Sequence, residues 1–303
     1  MSRNDVYELP PHLLPHCVGQ TGYESIAACS ETPLKIRMQI DVRCDSSMES
    51  RLKWPSEAET PMTSTMLASL KCISSRATRQ WLAGSCEEWG RVSGQEVHLE
   101  SVGGISAARR IRDGESFDVA VLASDALQKL NDSGQVGVLA DIAISNVAIA
   151  AQAGVAPPIA SINQLLETLH ASRSIGYSTG PSGDALLALL SQWGALEILR
   201  PRLIQAPAGV AVGELIARGT VVIGFQQYSE FLHCRNISLL GSMPPGAEIR
   251  TRFSAAASTT SAHATSAAAF IAFLRSARSH QIICREGMEP CLHDPETSEK
   301  SPT

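Results

Sequence analysis

The sequence lacks several things, and each absence removes a class of function. No window reaches the roughly 18 consecutive apolar residues that a membrane-spanning helix needs, so no transmembrane segment is expected. Lysine is scarce and no cluster of basic residues is present. With a formal net charge of −5 and a pI near 5.9, the chain has no basic face for nucleic-acid phosphates. The eight cysteines (17, 29, 44, 72, 86, 234, 284 and 291) show no CxxC spacing and no paired histidines. Neither a zinc site nor a redox motif is expected. They read as free thiols, and no cofactor is implied. The opening "MSRNDVYELPPHLLPHC" has no apolar core between a basic start and a small-residue cleavage site, which points to the cytoplasm. Met62 and Met66 lie just before the first convincing strand. If the N-terminus is misassigned, the expectation becomes periplasmic.

What is present is a globular chain of 303 residues, 44% of them hydrophobic, enough to bury a substantial core. Residues 1–66 are rich in Pro, Ser, Glu and Thr without hydrophobic periodicity, and are expected to be a disordered extension. From Leu67 onward strands and helices alternate. "LASLKCIS", "QEVHLES" and "FDVAVLAS" read as strands, separated by the helices "ATRQWLAGSCEEWGRVSG" and "ISAARRIRDGE". "DALQKLNDSGQV" is a further helix. The middle of the chain continues the alternation, with strands "DIAISNVAIAA", "SIGYS" and "VVIGFQ" and helices "SINQLLETLHA", "SGDALLALLSQWG" and "AVGELIARG". "AAAFIAFLRSA" is a late helix, and 292–303 is a polar tail. This βα alternation predicts an α/β fold with a mostly parallel sheet.

Ligands in open α/β sheets bind beyond the carboxyl ends of the strands. Here those ends are small and rich in hydroxyls: Ser74, Ser75 and Arg76; Ser101 to Gly104; Ser178 to Gly183; and "QQYSE" from Gln226. An ordinary N-cap explains any one of these serines. Together, Ser74, Ser75, Ser178 and Ser182, with backbone N–H groups at helix starts, make an anion site. Gly103 and Gly104 either end a strand or let an oxyanion approach the backbone. Arg76 is the preferred ligand charge, whereas Arg110 and Arg112 read as solvated helix-face charges. Neighbouring strand residues face opposite ways, so one of Gln226 and Gln227 is expected in the cleft and the other outside. The ligand partner is a small anion, with no nucleic acid and no membrane.

The segments "LKCISSRATRQ", "SVGGISAARRIRDGESFDVAVLASDALQKL", "STGPSG", "APAGVAVGELIARGTVVIGFQQYSE" and "GMEP" resemble the molybdate-binding branch of the type 2 periplasmic-binding-protein fold, the solute receptors of ABC transporters. The resemblance covers about residues 67–291. It implies two lobes around a ligand cleft, lobe one from 67–145 plus 250–291 and lobe two from 146–249. Carried onto this chain, the oxyanion pocket falls on Ser75, Ser182 and the backbone of Val210. A second pocket serine is replaced by Gly104 and a tyrosine by Gln227. Those replacements leave a larger cavity with different donors. The variant resembles the subgroup related to bacterial trans-aconitate isomerase, which implies an isomerase moving a proton between the allylic carbons of an unsaturated polycarboxylate. Glu230 and His233 are then the candidate catalytic groups. The alternative is a molybdate, oxyanion or carboxylate receptor that serves an ABC permease; a sensor that binds a carboxylate without chemistry is a third reading.

Overall fold

The computed structural model describes residues 68–154 and 158–291; the expected extension before Leu67 and the tail from 292 lie outside them. The chain begins with strand β1 (Leu70–Ser75), a 3-10 turn (Arg76–Thr78) and helix α1 (Arg79–Ser93). Next come β2 (Val97–Val102), α2 (Gly104–Arg112), β3 (Val119–Ala123) and α3 (Ser124–Asp132). A long strand, β4 (Ala140–Gln152), leads to α4 (Ile162–Ala171), β5 (Ile175–Tyr177), α5 (Pro181–Gln192), α6 (Leu196–Leu199) and β6 (Leu203–Gln205). The chain continues through α7 (Val212–Ala217), β7 (Ile223–Gln227), α8 (Tyr228–Phe231), β8 (Ile237–Ser242) and β9 (Arg250–Ala257). It closes with α9 (Ala264–Leu274), α10 (Ala277–Arg285) and β10 (Glu289–Pro290).

Local signals set many of these boundaries. α1 stops where Gly94 takes a left-handed φ of 71° and its N–H returns to the Gly90 carbonyl, a turn that a residue with a Cβ resists. α4 starts at Ser161, whose hydroxyl accepts from the Gln164 N–H, while the Gln164 side chain accepts from the Ala160 N–H. That reciprocal pair satisfies two N–H groups that the helix cannot.

The sheet order is β2-β1-β3-β9-β4-β7-β5-β6, with β8 and β10 also paired to β4. β2, β1 and β3 run parallel, as do β7, β5 and β6. Between these groups β9 and β4 pair antiparallel with each other and with their neighbours. The expectation of a mostly parallel sheet therefore holds only within each half. β4 joins the halves: Ala140–Asn146 pairs with β9, and Val147–Gln152 with β7 and β8.

Burial follows the same division. β1 is buried at all but one of its six positions, as a strand covered on both faces should be. Leu70, Trp81, Leu82, Val119, Val121 and Phe270 pack into one cluster on the first half. Trp89 extends it with tilted contacts to Phe270 and Phe273, ring centres 5.7 and 5.4 Å away, within the range at which aromatic rings attract. On the second half, Ile149, Leu165, Ile175, Leu186, Ile223 and Phe225 form the corresponding core.

Candidate functional site

The carboxyl ends of β1, β2 and β3 face those of β5 and β7 across a cavity of about 500 Å³. The first wall carries Ser75, Arg76, Gly103 and Gly104; the second carries Ser178, Ser182, Gly209, Val210, Gln226, Gln227 and Glu230. Segments far apart in the sequence thus contribute to one cavity.

Ser75 ends β1 with 7% of its surface exposed, and its Oγ has no hydrogen-bond partner among the described residues. An unpartnered buried hydroxyl costs free energy unless something else bonds to it. Gly104 lies directly beside it: a Cβ at Gly104 would sit 3.7 Å from the Ser75 Cβ. Gly104 opens α2, so its N–H is among those left unused at a helix start. From the same wall the Arg76 guanidinium reaches across the cavity and donates to the Gly209 carbonyl.

The opposite wall depends on the turn "STGPSG". Gly180 has a φ of 90° and is followed by Pro181 at the first position of α5, where proline's missing N–H costs nothing. A Cβ at Gly183 would meet the Ser178 carbonyl oxygen at 1.9 Å, so only glycine permits this approach. The turn brings the Ser178 and Ser182 hydroxyls to 2.8 Å from each other.

Glu230 lies on α8 at the end of β7. Gln226 Nε2 donates to its carboxylate at 2.7 Å, while Gln226 Oε1 accepts from the Gly213 N–H. Burial pushes the Glu230 carboxyl up from 4.5 to about 7, against the lowering influence of the Arg76 charge and the Gln226 hydrogen bond. Gln227 donates through Nε2 to Thr251 at 2.7 Å, and its Oε1 is buried without a partner among the described residues. Both glutamines line the cavity, contrary to the expectation that one would point away. Both lie within β7 and their side chains do take different partners, Gly213 and Glu230 for Gln226 and Thr251 for Gln227, but at the carboxyl end of the strand both positions border the cavity.

Two expected residues lie elsewhere. Ser74 is fully buried on the other face of β1, with its Oγ 2.7 Å from that of Ser101; strand alternation directs Ser75 to the cavity and Ser74 away from it. His233 is not on the cavity wall. Its side chain is half exposed and its Nε2 lies 2.7 Å from the Glu286 carboxylate, a surface contact worth at most about 1 kcal/mol. His233→Ala is therefore expected to leave ligand affinity within about twofold of the parent, as measured by calorimetric titration.

Conversely, Arg112 lines the cavity rather than serving only as a solvated helix charge, and Thr251, Phe253 and Lys129 join it. Arg110, next in sequence to Arg109, is turned away into an ion-paired cluster with Glu100 and Glu115. Among the described residues no group of His, Cys, Asp and Glu is arranged to hold a metal ion, and no helix is long and apolar enough to cross a membrane.

Known proteins share this fold. Residues 70–289 match the family of bacterial extracellular solute-binding proteins. An aconitate isomerase from a Pseudomonas species is 31% identical over 192 residues, which span 61% of this chain and 72% of that protein. Among solved structures, the periplasmic molybdate-binding protein of Azotobacter vinelandii superposes with a TM-score of 0.63 at 18% identity, over 74% of this chain and 100% of its own. The sulfate-binding protein of Mycobacterium tuberculosis gives 0.62 at 15% identity, over 75% and 88%. The α/β architecture is that of the periplasmic binding proteins, as the sequence resemblance implied. The chain belongs to the bacterial extracellular solute-binding protein family.

Proposed function

We propose that this protein is an isomerase that interconverts trans- and cis-aconitate, or a closely related unsaturated polycarboxylate, by a 1,3 proton shift. The observation that carries the proposal is Glu230: a carboxylate at the wall of an anion-receptive cavity, with a pKa raised to about 7. A base of that strength is half-ionised near neutrality and can both remove and return a proton. The reading is supported by the 31% identity to an aconitate isomerase.

In this mechanism Glu230 removes a proton from the methylene carbon next to a substrate carboxylate. The electron pair delocalises through the double bond, and negative charge develops on carboxylate oxygens. Ser75 Oγ, the Arg76 guanidinium, the Gly104 N–H and Ser182 Oγ stabilise that charge. Glu230, now protonated, returns a proton to the other allylic carbon; the double bond has moved one position, and proton number is conserved. The halves act as lobes, 67–145 plus 250–291 and 146–249, which close over the substrate.

Two variants test the anion clamp. Ser75→Ala removes a hydroxyl with no partner among the described residues, so it is expected to weaken carboxylate binding by roughly tenfold or more while leaving thermal stability unchanged or slightly higher. Ser182→Ala also forfeits the bond to Ser178 and is expected to lose affinity together with about 1 kcal/mol of stability. Unchanged affinity in both would exclude the cleft as the binding site.

A second reading draws on the family match and on the Arg76 contact to Gly209, which links the two walls. In it the protein is a receptor that closes on a small oxyanion or carboxylate and delivers it to an ABC permease, outside the cytoplasm. Incubation with trans-aconitate separates the two: the enzyme yields cis-aconitate, whereas the receptor only gains thermal stability.

A further inference from the structure

The cavity extends beyond its inner pole of Ser75, Arg76 and Glu230, and its additional wall carries three cationic side chains beside Asp125 and Asp184. Arg109 and Arg112 line it from α2, and Lys129 from α3. Arg109 and Arg112 are three residues apart, so they share one face of α2, and helical side chains lean toward the helix N-terminus, the end at which Gly104 meets Ser75. Arg112 is eight residues from Gly104, about 12 Å along the helix axis. The charges therefore extend outward from the inner pole.

The pairing of these side chains is selective. Arg110, on the same helix, is held by Glu100 and Glu115. Among the described residues, none of Arg109, Arg112 and Lys129 forms an ion pair. The acidic wall residues are Asp125 on α3, Asp184 on α5 and Glu230. Among the described residues none of these acids is ion-paired to the three cations, and cations gathered on one surface without direct partners repel each other and destabilise the fold slightly. An anion with several carboxylates relieves that repulsion when it binds.

We propose that Arg109, Arg112 and Lys129 form an outer anion station that receives the distal carboxylate of a polycarboxylate whose reacting end lies at Ser75, Arg76 and Glu230. The station sets specificity: it selects tricarboxylates over dicarboxylates of similar shape. The proposal rests on the cavity being a polycarboxylate site, but not on the isomerisation itself. All three side chains are exposed, so each contributes modestly and through a screened interaction.

The test uses ligands that cannot isomerise. Calorimetric titration of the full chain with propane-1,2,3-tricarboxylate and with succinate, at low and at high salt, measures the preference directly. The parent protein is expected to favour the tricarboxylate by roughly tenfold at low salt, from about two- to fivefold per charge, and to lose most of that preference at about 1 M salt. The triple variant Arg109→Gln/Arg112→Gln/Lys129→Gln is expected to bind both ligands about equally, and each single variant to lose part of the preference. Arg110→Gln, which removes the same charge outside the cavity, is expected to keep it. A parent without the preference, or a triple variant that retains it, would overturn the station. Absence of trans-aconitate turnover in the parent would count against the isomerase alone.

Discussion

Glu230→Gln is expected to lower isomerase turnover by about 10²–10⁴-fold, the usual contribution of a positioned acid or base, while making the protein more stable in alkaline solution. Both effects come from the same burial. The carboxyl titrates near 7 in the folded protein instead of at 4.5, so the folded state holds a proton that the unfolded state releases. The associated stability is fully present below about pH 4.5 and is lost as pH rises through about 7. At about pH 8 the cost of keeping the ionised group at the cavity wall has a ceiling of about 3 kcal/mol. Glutamine, neutral throughout, avoids that cost and can still accept from Gln226. Melting curves at about pH 5 and pH 8 should therefore diverge for the parent and run closer together for the variant, with a gap of several degrees at the higher pH. The parent's kcat/KM for trans-aconitate should rise through about pH 7 as the base ionises. A variant with full activity would exclude Glu230 as the base; equal melting temperatures in alkaline solution would show that its ionisation is not opposed by burial.

Gly183→Ala is the second change with a large expected effect, and it acts through backbone geometry. The added methyl would sit 1.9 Å from the Ser178 carbonyl oxygen, 3.1 Å from its carbon and 3.2 Å from Tyr177 Cδ2. Two of these three atoms belong to the main chain, so no side-chain rotation relieves the clash and the turn itself must open. We expect a loss of about 1–3 kcal/mol in stability and at least a roughly tenfold loss of ligand affinity, because opening the turn separates Ser178 from Ser182. Gly104→Ala is the informative contrast. There the methyl meets Ser75 Cβ at an ordinary 3.7 Å, and stability should stay within about 1 kcal/mol of the parent. Thermal melting and calorimetric titration of the two variants, side by side, distinguish steric necessity at Gly183 from tolerance at Gly104.

The convergence of loops on one cavity was legible because it follows from topology. Helices after "LKCIS", "VHLES" and "SIGYS" require parallel strands, and parallel strands send their carboxyl ends to one edge. The presence of Ser75, Gly104 and Ser182 at the cavity followed from their places at those ends. The connection between the halves was not legible. β9 reads "RTRFSAAA", in which alanine has little strand preference and the arginines suggest a loop. Its place between β3 and β4 is fixed by pairing with residues more than a hundred positions away, a relation that no local pattern carries. Thr251, the partner of Gln227, was invisible for the same reason. Ser74 and His233 lie off the cavity because neighbours in sequence need not be neighbours in space: one residue of offset on a strand reverses a side chain, and α8 lasts only four residues before the chain turns outward. Glu230 stood out as a candidate in the sequence, but its raised pKa depends on what α8 packs against.

The most direct measurement is proton NMR of the purified protein incubated with trans-aconitate in D₂O. With Glu230 as the base of an isomerase, cis-aconitate appears, deuterium enters at the allylic carbon, and both events fail together in Glu230→Gln. If trans-aconitate remains unconverted and unlabelled while molybdate or a simple carboxylate raises the melting temperature, the chemistry proposed for Glu230 is contradicted and the protein is a receptor.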